Sequence, residues 1–211
     1  MSRILLSLVV VVLIGCTTEK PATKERRPHE HATPPLASVR VERLDGSLFD
    51  PLAQPEDVKA RVFVFLTTDC PIANRYAPTL QRLAKRCLQE DVAFTLVYPN
   101  ETDTADDIRQ HQQQYQHNCA AVRDVSHSLV AITGVTVTPE VAVFDTNGTM
   151  VYRGRIDDWY VDFGKNRPAP TTHDLRDAID AIVEGAPVRE PRTKAIGCYI
   201  HDKADSPESR R

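Results

Sequence analysis

The 211-residue chain has no Cys-x-x-Cys pair, no large surplus of charge of either sign, and no hydrophobic run long enough to span a bilayer. Its five cysteines stand at positions 16, 70, 87, 119 and 198, too scattered for a zinc knuckle, and their odd number leaves at least one outside any pairing scheme. A formal net charge of −3 gives no electrostatic case for nucleic acid as a partner. The apolar stretch from Ile4 to Ile14, broken only by Ser7, falls short of the ~20 residues a transmembrane helix needs, so a multi-span membrane protein is excluded. No internal repeat is visible. Against these absences, 41% hydrophobic and 26% charged residues are ordinary for a soluble globular protein and exclude wholesale disorder. The length suits one domain, or one domain with tails.

The amino terminus reads as a targeting segment, residues 1–15. Arg3 supplies the positive start, the apolar run has the length of a signal-peptide core, and it ends in Leu13-Ile14-Gly15-Cys16. This ending resembles the bacterial lipobox, in which cleavage precedes the cysteine and its sulfur is lipidated. The resemblance implies a protein held by acyl chains on Cys16 outside the cytoplasm, anchored in a bacterial cell envelope. Thr17 and Thr18 follow with no Asp beside Cys16, a pattern similar to that of outer-membrane sorting in Gram-negative bacteria. The compartment then permits disulfides. Residues 16–37 read as a flexible tether, proline-rich and without apolar periodicity. His29 and His31 lie in it and carry no specific signal.

Residues 38–186 read as the folded domain, followed by a tail, 187–211. Val39 to Leu44 and the Asp45-Gly46 dipeptide signal a hairpin. Arg61 to Thr67 is a continuous apolar run, the mark of a buried central strand. Cys70-Pro71 follows, and Tyr76, Leu80, Leu83 and Ala84 recur at helical spacing to about Gln89. Asp91 to Tyr98 reads as a strand. Thr104 to Gln116 reads as a polar helix capped by Thr102 or Asp103, and Ala120 to Arg123 as a short strand. Ser126 to Thr133 reads as a helix stopped by Gly134. Val141 to Asp145 and Met150 to Ile156 flank an Asn147-Gly148 turn, and Leu175 to Val183 is a final helix stopped by Gly185. Alternating strands and helices with a closing hairpin predict an α/β fold, a central mixed sheet flanked by helices on both faces.

Cys70 stands just after a buried strand and at the start of a helix, where backbone N–H groups favour thiolate. Thr67, Thr68 and Asp69 make its approach polar. The order strand, Cys70-Pro71, helix and, later, Val137-Thr138-Pro139 before a strand resembles the thioredoxin-like superfamily. The resemblance covers residues ~38 to ~186. It implies a cis-proline at Pro139 facing the cysteine and shaping a substrate groove. The leading hairpin is similar to the redoxin branch, which holds peroxiredoxins, TlpA-like reductases and Sco-like copper proteins. The stretch Asp69 to Pro78, with Arg192 to Cys198, also resembles a group of bacterial redoxin-domain proteins.

Departures from these patterns narrow the chemistry. Where thioredoxins and TlpA-like proteins carry a second cysteine three residues on, this chain has Ala73. Where Sco-like proteins carry it four residues on, it has Asn74. Thr67 matches the peroxiredoxin threonine and is expected to hydrogen-bond near the sulfur. Phe63 stands where that family has proline, and Thr138-Pro139 where its arginine sits. Arg153 and Arg155 are the candidates to replace that arginine.

A single thiolate needs a partner. With one helix from Pro71 to about Gln89, Cys87 lies roughly 25 Å from Cys70, beyond disulfide reach. Cys119 follows a helix that also runs away from that edge. Cys87 and Cys119 are therefore expected at one remote end, as a structural disulfide or as two nearby free thiols. Cys198 remains. Its neighbours Ala195, Ile196, Tyr199 and Ile200 suggest a tail that packs on the domain, and Gly197 permits unusual backbone angles. Two outcomes stay open: a tail folded back with Cys198 beside Cys70, or an exposed tail cysteine.

The leading expectation is an enzyme: an extracytoplasmic, membrane-tethered thiol–disulfide oxidoreductase or a peroxiredoxin-like antioxidant enzyme. In it Cys70 attacks a protein disulfide or a peroxide and Cys198 resolves the adduct, with no cofactor. The alternatives are a Sco-like Cu(I) carrier with Cys70 and Cys198 as thiolate ligands, a thiol peroxidase, and a redox-inactive binding module. The Asp157 to Thr172 loop, with Trp159, Tyr160 and Phe163, either packs down on the domain or forms a rim that selects a partner. His173 reads as a helix-start residue, and His127 carries no distinct signal.

Overall fold

The computed structural model describes residues 39–53 and 57–201. The targeting segment, Cys16, the tether with His29 and His31, and the end of the tail lie outside the described residues. Asp45 accepts the Ser47 N–H at 2.9 Å and Gly46 takes φ +86°, which folds Val41–Arg43 (β1) against Leu48–Phe49 (β2) as the Asp-Gly pair requires. Ala60–Phe65 (β3) is buried at every position. A five-residue helix, Pro71–Arg75 (α1), follows, then Ala77–Gln89 (α2), Val92–Tyr98 (β4), Ala105–Gln114 (α3), Ala120–Arg123 (β5) and Ser128–Thr133 (α4). The chain continues through Val137–Thr138 (β6), Glu140–Asp145 (β7), Met150–Gly154 (β8), Tyr160–Asp162 (β9), Lys165–Asn166 (β10), Asp174–Val183 (α5) and Cys198–Tyr199 (β11).

The main sheet runs β2-β1-β5-β4-β3-β7-β8. Strands β3, β4 and β5 are parallel neighbours, whereas β7 runs antiparallel to β3, and β8 antiparallel to β7. The sheet is therefore mixed, and helices cover both faces as expected. Side-chain alternation divides β3 between two cores. Val62 and Val64 pack in one with Leu80 and Leu83 of α2, Ile108 of α3 and Ile179 of α5. Phe63 and Phe65 pack in the other with Leu129 of α4, Val39 and Val41. A strand apolar on both faces suits this central position.

Four local expectations are corrected. The single helix from Pro71 to Gln89 is two helices that meet at Tyr76. Pro78 has no N–H to give the Asn74 carbonyl, and its ring would crowd that carbonyl, so the chain restarts with Pro78 in the first turn of α2. The cap of α3 is Thr104, not Thr102 or Asp103. Its hydroxyl accepts the Asp107 N–H while Asp107 accepts the Thr104 N–H, a reciprocal box. The loop after Ile156 contains the small β9–β10 hairpin. The tail also holds a strand: β11 pairs antiparallel with β6. Upstream of it, the Thr193 hydroxyl accepts from the Arg155 N–H at 3.1 Å and shares a 2.7 Å hydrogen bond with Tyr152 Oη, tying the tail to the end of β8.

Candidate active site

The pairing of Phe65 with Glu140 puts the end of β3 and the start of β7 on one edge of the sheet. Cys70 lies there as the N-cap of α1, at φ −75° and ψ 108°, with Pro71 as the first helical residue. Its Sγ accepts the Ala73 N–H at 3.5 Å and lies 3.1 Å from the Thr138 carbonyl, to which it donates. The Thr138–Pro139 peptide bond is cis. Cys70 is 1% exposed.

Cys198 reaches this edge through backbone pairing, Cys198 opposite Thr138 and Tyr199 opposite Val137, extended by the Ile200 N–H to the Thr136 carbonyl at 3.0 Å. The Cys70 and Cys198 sulfurs are 2.8 Å apart, and both are free thiols. The approach requires Gly197, because a Cβ there would stand 2.2 Å from the Thr138 carbonyl oxygen. Burial first, then the contact with Cys70 and the charge of Asp69, push the Cys198 thiol up.

Around the pair, the other expected residues divide. Thr67 is buried, but it contributes its carbonyl, which accepts the Cys70 N–H at 3.4 Å, and its hydroxyl is not among the groups on the sulfur. Arg153 faces Glu140 at 3.5 Å and donates to the Thr133 and Gly134 carbonyls. Arg155 pairs with Asp174 at 2.8 Å. Neither arginine is among the groups that contact the Cys70 sulfur. His173 precedes α5 at its N-cap position, and His127 Nε2 lies 2.8 Å from the Pro99 carbonyl. The aromatic loop packs down on α1. Trp159 meets the Tyr76 ring edge-on at 5.5 Å, Tyr76 donates to Asp157 at 2.7 Å, and Arg75 donates to the Tyr160 hydroxyl at 3.3 Å.

Behind Cys70 lies a polar chain that no motif announces. Asn74 donates to the Thr68 carbonyl at 3.1 Å and lies 2.8 Å from His111 Nε2, while His111 Nδ1 lies 2.9 Å from Tyr98 Oη. One tautomer satisfies all three contacts: Tyr98 donates to Nδ1, and Nε2–H donates to Asn74. Thr68 also donates to Asp103 through its hydroxyl, at 2.6 Å, and its N–H. Burial pushes the Asp103 carboxyl up, opposed by these two hydrogen bonds. The one sequence signal is Asn74, a polar residue one helical turn after Cys70. His111 is 37 positions further on and could not be linked to it.

Cys87 and Cys119 are not joined. Cys87 is fully buried at the end of α2 and Cys119 partly buried before β5, and both are free thiols pushed up to about 12 by burial. An open cavity of about 470 Å³ runs between α2 and β4, with Leu88, Phe94, His117 and Cys119 in its wall. Among the described residues, no cluster of three or more His, Cys, Asp or Glu side chains could hold a metal ion, and no helix is long and apolar enough to cross a membrane.

No protein-family model matches the chain, and no curated protein sequence matches it. Solved structures do. An uncharacterized conserved protein from Geobacillus kaustophilus is 26% identical, with a TM-score of 0.67 over 79% of this chain and 89% of that one. A hypothetical protein from Sinorhizobium meliloti 1021 is 24% identical, with a TM-score of 0.65 over 76% and 88%. A thioredoxin-like protein from Aeropyrum pernix is 15% identical, with a TM-score of 0.50 over 71% and 89%. Strand order, the helices on both faces, the cis-proline edge and these likenesses together establish a thioredoxin-like fold for this chain.

Proposed function

We propose that the chain is a thiol–disulfide oxidoreductase whose redox pair is Cys70 and Cys198. The observation that carries this reading is the 2.8 Å approach of the two sulfurs at the cis-proline edge. Two thiols already in contact close to a disulfide with little backbone movement. The Ala73 N–H supports the Cys70 thiolate when the bond opens. The pair needs no cofactor: two electrons enter or leave as the bond breaks or forms, and protein thiols or disulfides are the natural exchange partners.

Peroxide is a weaker substrate candidate, because Arg153 and Arg155 are committed to Glu140 and Asp174. A Cu(I) site would use the same two sulfurs. His127 is held by Pro99, and His111 by Tyr98 and Asn74, so the thiol pair has no imidazole to draw on from either. The lipobox-like Leu13-Ile14-Gly15-Cys16 supports a lipid anchor that holds the enzyme outside the cytoplasm.

The decisive experiment equilibrates the full chain with a glutathione redox buffer and maps its disulfides by mass spectrometry. A Cys70–Cys198 bond, with faster reduction of a peptide disulfide by dithiothreitol when the chain is present, is the expected result. Oxidation without that bond, or no acceleration, sinks the assignment. For the anchor, Cys16→Ala is expected to move the protein from the membrane to the soluble fraction.

A further inference from the structure

The two sulfurs of the pair differ in access. Cys70 is 1% exposed. Its Sγ is enclosed by the Ala73 N–H, the Thr138 carbonyl and Cys198, and Ile72 and Ala73 of α1 are buried beside it. The tail closes the remaining side. Gly197 lies so close to Thr138 and Pro139 that even a methyl group would not fit, and β11 occupies the β6 backbone. Cys198 is partly exposed, and Tyr199 beside it is 79% exposed.

We infer that a thiol reducing the Cys70–Cys198 bond enters at Cys198, and that Cys70 is the buried leaving group. This rests on the redox reading above and reverses the order that the sequence suggests. The entering group is a thiolate from a partner protein with two thiols. It attacks Cys198 Sγ, on the partly exposed residue of the pair. A new bond forms between the partner sulfur and Cys198. The Cys198–Cys70 bond breaks, and its electron pair leaves on Cys70 as a thiolate that accepts the Ala73 N–H. The partner's second thiolate then attacks the partner sulfur of the mixed disulfide. Cys198 is released and takes a proton from solvent. The partner has lost two electrons to the chain and carries the new disulfide.

The leaving-group order agrees. Attack at Cys198 expels the sulfur that has a backbone N–H to receive its charge.

The test uses the oxidised full chain and glutathione as the probe thiol, with an acid quench and mapping of the glutathione adduct. The adduct is expected on the Cys198 peptide. The single variants Cys70→Ser and Cys198→Ser extend this: each is first converted to its mixed disulfide with glutathione, and reduction by dithiothreitol is expected to be roughly tenfold or more faster at Cys198 in the first than at Cys70 in the second, reflecting access to the attacked sulfur. Equal rates after denaturation would tie that difference to the fold. An adduct on Cys70, or faster folded-state reaction of Cys70, overturns the entry order while leaving the redox pair intact. Failure of the Cys70–Cys198 bond to form at all overturns the redox reading, and the entry order with it.

Discussion

Two pairs of cysteines occupy opposite ends of the same sheet and differ in what surrounds them. At the cis-proline edge, Cys70 has a backbone donor, a backbone acceptor and a second sulfur within hydrogen-bonding distance. At the far end, the dominant influence on Cys87 and Cys119 is burial, which pushes both thiols up to about 12 and leaves them protonated at neutral pH. Both sites use helix termini: Cys70 precedes α1 and Cys87 closes α2. The N-terminal position offers N–H groups to a thiolate, and the C-terminal one offers carbonyls, which oppose it. Polar partners and a second sulfur in contact separate the first pair from the second.

The comparison breaks most sharply under substitution of the cysteines themselves. Either Cys70→Ser or Cys198→Ser is expected to reduce catalysed reduction of a peptide disulfide to the uncatalysed background. Cys119→Ser should leave the rate unchanged. Loss of turnover in the Cys119 variant would assign chemistry to the remote pair and dissolve the contrast.

A smaller but more specific effect is expected at Gly197. A Cβ there would meet the Thr138 carbonyl oxygen, part of a rigid backbone that cannot swing aside. Gly197→Ala should lift β11 from β6 and lower the effective concentration of Cys198 at Cys70. The equilibrium for the Cys70–Cys198 bond against glutathione should fall roughly tenfold, or about 30 mV in potential. Global stability should move little, because β11 is a two-residue strand outside the main sheet. An unchanged potential would mean that the pair does not depend on this backbone pairing.

The two sites were unequally legible for the same physical reason. The buried run before Cys70, the Cys70-Pro71 step and Thr138-Pro139 are local signals, and they pointed to the edge that the structure builds. The pairing of β11 with β6 joins residues 60 positions apart through two-residue strands, which are too short to have a period. Gly197 stood out for its backbone freedom, yet the reason for it is the Thr138 carbonyl, visible only in three dimensions. Pro78 is a local break signal, but the helical spacing of Tyr76, Leu80 and Leu83 runs across it and predicts a single helix. The separation of Cys70 from Cys87 survives that correction, because α2 still carries Cys87 to its far end. Thr67 kept its place beside Cys70 but acts through its carbonyl, since a family motif specifies a residue and not which of its atoms is used.

His111 connects the two ends, and its titration sharpens the contrast between them. It contacts Asn74 behind Cys70 on one side, and its ring lies 5.7 Å from His117, in the wall of the remote cavity, on the other. Burial first, then the neighbouring His117, depress its pKa to about 4 from 6.5. The folded state thus binds fewer protons than the unfolded state between these values. Stability from this group is present above pH 6.5 and lost as pH falls through 4, by about 3 kcal/mol if the group titrates alone. His117, also depressed by burial, adds a loss of the same sign. Chemical denaturation at pH 7, 5.5 and 4 should reveal this slope, and His111→Gln should flatten it. A slope unchanged in the variant would place the acid sensitivity elsewhere.

The smallest effect is expected at Cys87, where the contrast is between packing and reactivity. The side chain is fully buried against the core at the end of α2. Cys87→Ala should cost about 1 kcal/mol in a denaturant titration, the order expected for a small vacated volume in a packed core. Turnover at the Cys70–Cys198 pair should be unaffected, since Cys87 lies near the far end of α2 from that edge. With a thiol at about 12, only about one molecule in 10,000 carries the thiolate at pH 8, so alkylation of Cys87 should wait for unfolding. Cys119 has the same raised thiol but opens on the cavity, so it isolates access from ionisation. If ionisation controls the remote pair, Cys119 will alkylate as slowly as Cys87 in the folded protein. If Cys119 reacts quickly, access through the cavity governs it, and the difference between the two ends lies in the second sulfur at Cys70 and not in the protonation of the remote thiols.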